Sequence, residues 1–363
     1  MKKLFSILLA LALLAPCVAA LAEDAPIILG YIAPVDAEGG RYSLCADAFS
    51  YAASQVQKER RTVLITLRYD PRAGELPEGA DGEDRIDPAV AALMSLIEDG
   101  VNCVAVCPTS IQQAEMLIDL AQESGIPIVI EGLDVSSIYP PSAEASPSPE
   151  ETPDPDAARP YVAAVGYGDA AAYTAAMWLE EFAYNPMLLH CTLPESDPAI
   201  QAGIERALAD AAYLSLADDE ISASADTADA GRYAIELFTS SGALFGCVLA
   251  DSYALAEGCA KAVRQLEESC PIAAIASSQE ALELLERGEI DMLAAAPASV
   301  EGVETFKVLW DFAAEGIIPE TETGFVQLSV ITATKGNTAA WIGDDDFEAA
   351  YAQAYPEALD ADE

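Results

Sequence analysis

Histidine is almost absent: His190 is the only one in 363 residues. With a single imidazole, most Ser-His-Asp or Cys-His chemistry has one possible base. That histidine sits in the apolar run Met187-Leu188-Leu189-His190-Cys191, where a satisfied core residue is expected rather than a ligand or base. Basic residues are also scarce, with 17 Lys and Arg against 61 acids and a formal charge of -44. Such a surface repels nucleic acid and anionic lipid and reads as a solvated acidic coat. There is no Gly-x-Ser-x-Gly elbow, no His-Glu-x-x-His and no phosphate loop, so no enzyme chemistry is signalled. Beyond the N-terminal segment no run is long and apolar enough to span a bilayer. Cysteine is neither dense nor even. Cys45, Cys103, Cys107, Cys191, Cys247, Cys259 and Cys270 follow Cys17, several of them in strand-like apolar runs. They read as small buried hydrophobes, not as a disulfide framework or metal site. No cofactor and no metal are expected.

What is present begins at the N-terminus. Lys2 and Lys3 precede an apolar run from Leu4 to Ala15, then Ala20-Leu21-Ala22 precede Glu23-Asp24. A charged start, a short apolar stretch and small residues before a polar chain form the pattern of an export signal. The expectation is a signal peptide over 1–22, cleavage after Ala22 and an extracytoplasmic protein. An alternative is a lipid anchor at Cys17, although Pro16 stands where lipoprotein boxes prefer Gly, Ala or Ser.

The remaining chain is long enough for two domains, and 52% hydrophobic residues allow a large core. An amphipathic helix ending in glycine, followed by an apolar strand, recurs. Val90, Leu93, Met94 and Ile97 lead to Gly100, Ala114 to Ala121 lead to Gly125, Ala281 to Leu285 lead to Gly288, and Val303 to Ala313 lead to Gly316. Spacing of three and four residues is helical, and glycine suits the left-handed end of a helix. Continuous apolar strands are those of a sheet covered on both faces. The pattern predicts a doubly wound, parallel α/β protein, with strands near 27–33, 62–68, 101–107, 126–131, 161–166, 187–193, 244–250, 271–276, 290–295 and 325–332. Helices are predicted near 43–59, 88–98, 111–123, 169–183, 197–210, 228–240, 252–267, 279–287 and 299–315, with a further strand near 213–224. The proline-rich stretch from Tyr139 to Pro160 breaks this rhythm and reads as a spacer. After Trp341 the chain is acidic, with one short helix expected around 345–353.

The order of these pieces resembles the type I periplasmic binding proteins, the ribose- and galactose-binding-like solute receptors of ABC importers. Ile27-Ile28-Leu29-Gly30-Tyr31-Ile32 looks like their first strand, and Ala91 to Pro108 is similar to their strand-three block. Gly125-Ile126-Pro127-Ile128-Val129, Ala250-Asp251-Ser252-Tyr253-Ala254-Leu255-Ala256-Glu257-Gly258, and Gly288-Glu289-Ile290 with Val300-Glu301-Gly302 resemble three later blocks. The resemblance covers about residues 26–335. It implies two Rossmann-like, doubly wound parallel-sheet lobes joined by a hinge of three crossings. The first lobe would hold 25–133 and 297–324, the second 160–296 and 325–337, with an insert over 134–159 and an acidic tail over 338–363.

The same resemblance implies a small-molecule ligand between the lobes, most readily a sugar or related polar solute, delivered by a monomer to an ABC permease. Sensing on behalf of a membrane receptor is an alternative. Candidate contacts follow the strands of each lobe: Asp36, Arg41 and Tyr42 after the first, Glu131 and Asp134 after the fourth, Asp169 after the fifth. Asp251 matches the aspartate whose role in the family is to accept ligand hydroxyls, and two carboxylate oxygens suit vicinal hydroxyls. Tyr42 stands near the family's stacking aromatic. Departures accompany these matches. Ala250 replaces the Asn before that aspartate, Ile200 stands for an Arg before Gly203, and Ala295 falls near a late Gln. Fewer polar partners imply a less polar ligand or weak sugar binding, since an unpaired buried hydroxyl costs on the order of 1–3 kcal/mol.

Overall fold

A computed structural model describes residues 26–36, 40–56, 61–71, 86–136, 138–139, 161–193, 198–217, 221–222, 227–241, 245–265, 270–319, 321 and 324–356. The export-signal segment and nearly all of the proline-rich spacer lie outside the described residues. No described helix is long and apolar enough to cross a membrane.

The chain runs β1 (Ile27–Pro34), α1 (Arg41–Val56), β2 (Thr62–Tyr69), α2 (Pro88–Glu98), β3 (Cys103–Val106), α3 (Ile111–Glu123), β4 (Ile128–Glu131) and β5 (Val162–Gly166). It continues through α4 (Ala170–Phe182), β6 (Met187–Thr192), α5 (Pro198–Asp210), β7 (Ser215–Leu216), β8 (Ile221–Ser222), α6 (Thr227–Ser241), β9 (Cys247–Ala250) and α7 (Tyr253–Gln265). Then come β10 (Ile272–Ala274), α8 (Gln279–Arg287), β11 (Met292–Ala295), α9 (Ala298–Glu315), β12 (Phe325–Gln327), β13 (Ile331–Thr334) and α10 (Phe347–Ala354).

Two sheets result. The first has the order β12-β5-β4-β3-β1-β2 and is parallel throughout. The second has the order β13-β11-β10-β9-β6-β7, with β8 also paired to β6; β13 alone runs antiparallel, against β11. Every residue of β3, β4, β9 and β11 is buried, because helices cover both faces of each sheet. In the first lobe Leu29, Tyr31, Phe49, Phe306 and Leu309 fill one face, and Ile32, Leu93, Leu96, Leu117 and Ile130 fill the other. In the second lobe Leu189, Val248, Leu255, Leu284 and Leu293 lie on one side, with Leu179, Leu188, Ile204 and Leu249 opposite.

Local chemistry sets the element ends. The Asp87 carboxylate accepts from Ala89 N at 2.8 Å and so caps α2, with Pro88 in its first turn where no donor is required. Ser110 caps α3 and Ser278 caps α8 through their hydroxyls. Gly288 and Gly316 close α8 and α9 at φ 70° and 68°, a left-handed conformation that glycine adopts at little steric cost. The glycines of the family-like blocks have a different use. A Cβ at Gly302 would stand 2.3 Å from Cys45 O, one at Gly203 2.4 Å from Asp169 O, and one at Gly258 2.7 Å from Thr227 O. They let α9 meet α1, α5 meet the start of α4, and α7 meet α6 with backbones nearly touching.

Several expectations are corrected. The single strand expected over 325–332 is two strands in different sheets, β12 and β13, because Leu328–Val330 carries the chain from one lobe to the other. The topology also places β5 and β12 in the first sheet, so the second lobe starts after Gly166, not at 160, and 325–327 belongs to the first lobe. Val135, Ile138 and Tyr139 pack on the first lobe's core, so the insert begins later than 134. The tail is no loose appendage up to residue 356: Ala350 and Ala354 of α10 are buried against that core. In α2 the inward face is Ala89, Leu93 and Leu96, while Met94 is exposed. The strand expected near 213–224 is reduced to the two short strands β7 and β8.

Replacing Gly302 with alanine should destabilise the protein by about 1–3 kcal/mol through overpacking. Chemical denaturation checks this; an unchanged midpoint would mean that α1 and α9 have room the structure does not show.

Candidate functional site

Parallel strands deliver their following loops to one edge of the sheet, which is where open α/β sheets place ligands. In the first lobe that edge is formed after Pro34, Tyr69, Val106, Glu131 and Gly166, and in the second after Thr192, Ala250, Ala274 and Ala295. Three segments cross between the lobes there: Tyr167–Asp169, Ala296–Pro297 and Leu328–Val330. They run side by side. Leu328 N donates to Gly166 O at 2.9 Å, the Tyr167 hydroxyl to Pro297 O at 3.3 Å, and Arg41 Nη1 to Ala296 O at 2.9 Å.

Beneath the crossings the first lobe buries two carboxylates, Glu131 at the end of β4 and Glu301 in the first turn of α9, each 1% exposed. The Tyr31 hydroxyl donates to Glu131 Oε2 at 2.6 Å, and Arg41 pairs with Glu301. The other Glu131 oxygen, Oε1, is buried without a hydrogen-bond partner. Burial, then the neighbouring Glu301 charge, pushes the Glu131 carboxyl up from 4.5 to about 7 against the opposing pull of Tyr31 and Arg41. Burial and then Glu131 likewise raise Tyr31, Cys45 and Cys107. A second carboxylate charge beside Glu301, with one guanidinium to serve both, is what this pocket resists.

The other sequence-derived candidates are spread along the edges. Asp36 accepts from Tyr42 N at 2.7 Å and Ser43 N at 3.1 Å, capping α1, and pairs with Arg68 Nη2 at 3.3 Å. Tyr42 is partly buried against the first lobe's core. Asp134 is exposed and accepts from Ser136 N at 2.8 Å. Asp169 pairs with Arg206 Nη1 at 3.0 Å and makes no side-chain cap to α4. The Asp251 carboxylate meets His190 Nε2 at 2.9 Å, with both side chains almost fully buried. His190 is therefore the satisfied core residue its apolar surroundings indicated. The structure brings Arg41 and Glu131 into one cluster and Asp36 with Tyr42 into another; Asp134, Asp169 and Asp251 stand apart from both.

Sequence reasoning missed Tyr31, Arg68 and Glu301. Arg68 and Glu301 carried a usable signal: a charge at an otherwise apolar strand, and a carboxylate on the helix face that Gly302 presses against a neighbour. Among the described residues, no group of three or more His, Cys, Asp or Glu is placed to hold a metal. An open groove of about 750 Å³ lies between α6 and α7, lined by Ile235, Ala262, Arg232, Glu236, Glu257 and Lys261. None of its lining residues belongs to a crossing segment, and the position of the strand ends makes the interlobe edge the better site.

The Glu131 proton is held more tightly in the folded protein than in the unfolded chain. Its stabilisation is complete below about 4.5 and is lost as pH rises through about 7. Glu131→Gln should remove that part of the pH dependence and make the protein more stable than wild type at pH 8, as read by thermal melts across pH 4.5 to 8. Parallel curves for the two proteins would show that Glu131 is an ordinary carboxylate.

No protein-family model matches the sequence, and no curated protein is significantly similar to it. Solved structures are similar in fold. An ABC transporter solute-binding protein from Bacillus halodurans C-125 with bound myo-inositol is 15% identical, covers 91% of this chain and 98% of its own, with a TM-score of 0.59. A periplasmic ribose ABC transporter protein from Conexibacter woesei is 10% identical, with 86% and 93% covered and a TM-score of 0.61. A protein from Bacteroides fragilis named as a LacI transcriptional regulator is 14% identical, with 88% and 100% covered and a TM-score of 0.61. Two doubly wound lobes, three adjacent crossings and these likenesses give the chain the type I periplasmic-binding-protein fold.

Proposed function

We propose that this chain is an extracytoplasmic solute-binding protein that closes its two lobes on a sugar or a related small polar molecule and delivers it to an ABC permease. The observation that carries this reading is the pair of carboxyl edges facing each other across three parallel crossings, a geometry suited to hinge closure on a solute. The fold neighbours that bind sugars and myo-inositol support the ligand class, and the N-terminal sequence supports export. The protein works as a monomer and catalyses no reaction. Tyr42 and Asp134 keep accessible surface and are assigned first contact with ligand. Arg41 is also exposed while paired with Glu301, whereas Asp36, Glu131, Asp169 and Asp251 reach ligand only by exchanging present partners.

That internal pairing favours a second reading, a degenerate receptor with weak sugar affinity or a sensing role. Protein purified without denaturation, analysed by native mass spectrometry and by melts with millimolar sugars, polyols, nucleosides and amino acids, separates the two. Under transport, at least one compound raises the melting temperature by several degrees, since ligand at about 100 times Kd adds about 2.7 kcal/mol. No bound mass and no shift would end the transport reading.

Asp251→Ala gives a sharper check. If Asp251 contacts solute, binding falls by about tenfold or more. Unchanged affinity accompanied by a lower melting temperature would restrict Asp251 to holding His190.

A further inference from the structure

The chain does not stop after its third crossing. From β13 in the second lobe it turns at Thr334–Asn337, where Asn337 N donates to Thr334 O at 2.8 Å. Trp341 then packs against the second lobe's core, and the next residue, Ile342, is buried in the first lobe's core. Beyond it, α10 lies on α1 and α9, with Phe347 and Tyr351 against Tyr51 at ring separations of 6.2 and 6.1 Å. Residues 338–346 thus cross between the lobes a fourth time.

The polar contacts of this segment are concentrated at one point. Asp344 Oδ1 accepts from the Ser277 hydroxyl at 2.7 Å, in the loop after β10 of the second lobe. The same oxygen accepts from Ala298 N at 3.0 Å, at the start of α9 of the first lobe. Asp344 N returns a bond to Ser277 O at 3.2 Å, and the Ser299 hydroxyl donates to Gly343 O at 2.7 Å. One carboxylate oxygen therefore joins a loop of one lobe to a helix of the other. It lies at the carboxyl edge of the second sheet, and the positive end of α9 favours it there.

We propose that residues 338–346 are a strap that fastens the lobes in the arrangement seen, with Asp344 as its clasp and α10 as its anchor. Three crossings alone leave a hinge free to open. A fourth, held by a bridging carboxylate, biases the protein toward the arrangement seen before any ligand arrives. Opening requires Asp344 to leave Ser277 while it keeps α9. The inference rests on the two-lobed hinge of the proposed function but not on the identity of any ligand.

The test uses the full mature chain without ligand, in small-angle X-ray scattering and in hydrogen–deuterium exchange at residues 275–278 and 338–346. The wild type should scatter as the arrangement seen here does. Ser277→Ala removes the hydroxyl bond to the Asp344 carboxylate and leaves both the backbone bond from Asp344 N to Ser277 O and the cap on α9. It should raise the open fraction about tenfold, the effect of losing one hydrogen bond to a charged group, with a larger radius of gyration and faster exchange in both segments. Asp344→Asn should do the same. If both variants scatter and exchange as wild type does, the strap fastens nothing. If only Asp344→Asn opens the molecule, Asp344 is a helix cap and the clasp is overturned. Because no ligand is present, absence of sugar binding would leave this result intact, and a free-swinging hinge would leave the solute-binding reading intact.

Discussion

A parallel sheet must be covered on both faces, and this constraint organises the molecule. Its crossover connections put helices on each side, so its central strands are apolar from end to end. With β3, β4, β9 and β11 wholly buried, most of the buried polar side chains, such as Glu131, Thr192, Ser277, Ser299 and Glu301, stand at strand ends or in the loops and helix starts that follow. All strands but one run the same way within each sheet, so these polar ends gather at one edge per lobe. The interlobe edge is the place this arrangement leaves for polar groups.

Charge is distributed under the same rule. The protein has few bases, and three of them stand at or near the lobe edges with a carboxylate each: Arg41 with Glu301, Arg68 with Asp36, Arg206 with Asp169. The exposed pairs contribute little on their own. Arg41 differs, because its partner Glu301 is sealed in the core beside Glu131. There the surrounding protein, more than solvent, sets the protonation of a carboxyl group, and the same arginine reaches the backbone of a crossing segment.

Much of the fold was legible because it is written in short-range patterns. Glycine ends of helices and runs such as Cys103 to Val106 carry the alternation of helix and strand without reference to distant residues. Which sheet a strand joins is not written there. Val162–Gly166 and Phe325–Gln327 have the composition of either lobe, and only their pairing with each other and with β4 assigns them to the first. The site was less legible still. Asp169 is marked by its place after a strand and Asp251 by its match to the family's aspartate, but neither signal reveals whether His190 or Arg206 already occupies the carboxylate. Glu301 was visible only as the neighbour of Gly302, and its pairing with Arg41 spans 260 residues. After residue 338 five acids between Asp344 and Glu357 leave one short helix legible, but they do not reveal that Ala350 and Ala354 dock it on the first lobe's core.

The location of α10 has a consequence for how the chain comes together. Elements β6 to β11 follow one another without interruption, so the second lobe can gather most of its sheet from contiguous chain. The first lobe cannot: β12, α9 and α10 come from the far end, and α10 is set against α1, the earliest helix described. One face of the first sheet is covered only in part, by α1, until α9 and α10 emerge. During synthesis, that unfinished face is the surface most in need of a chaperone.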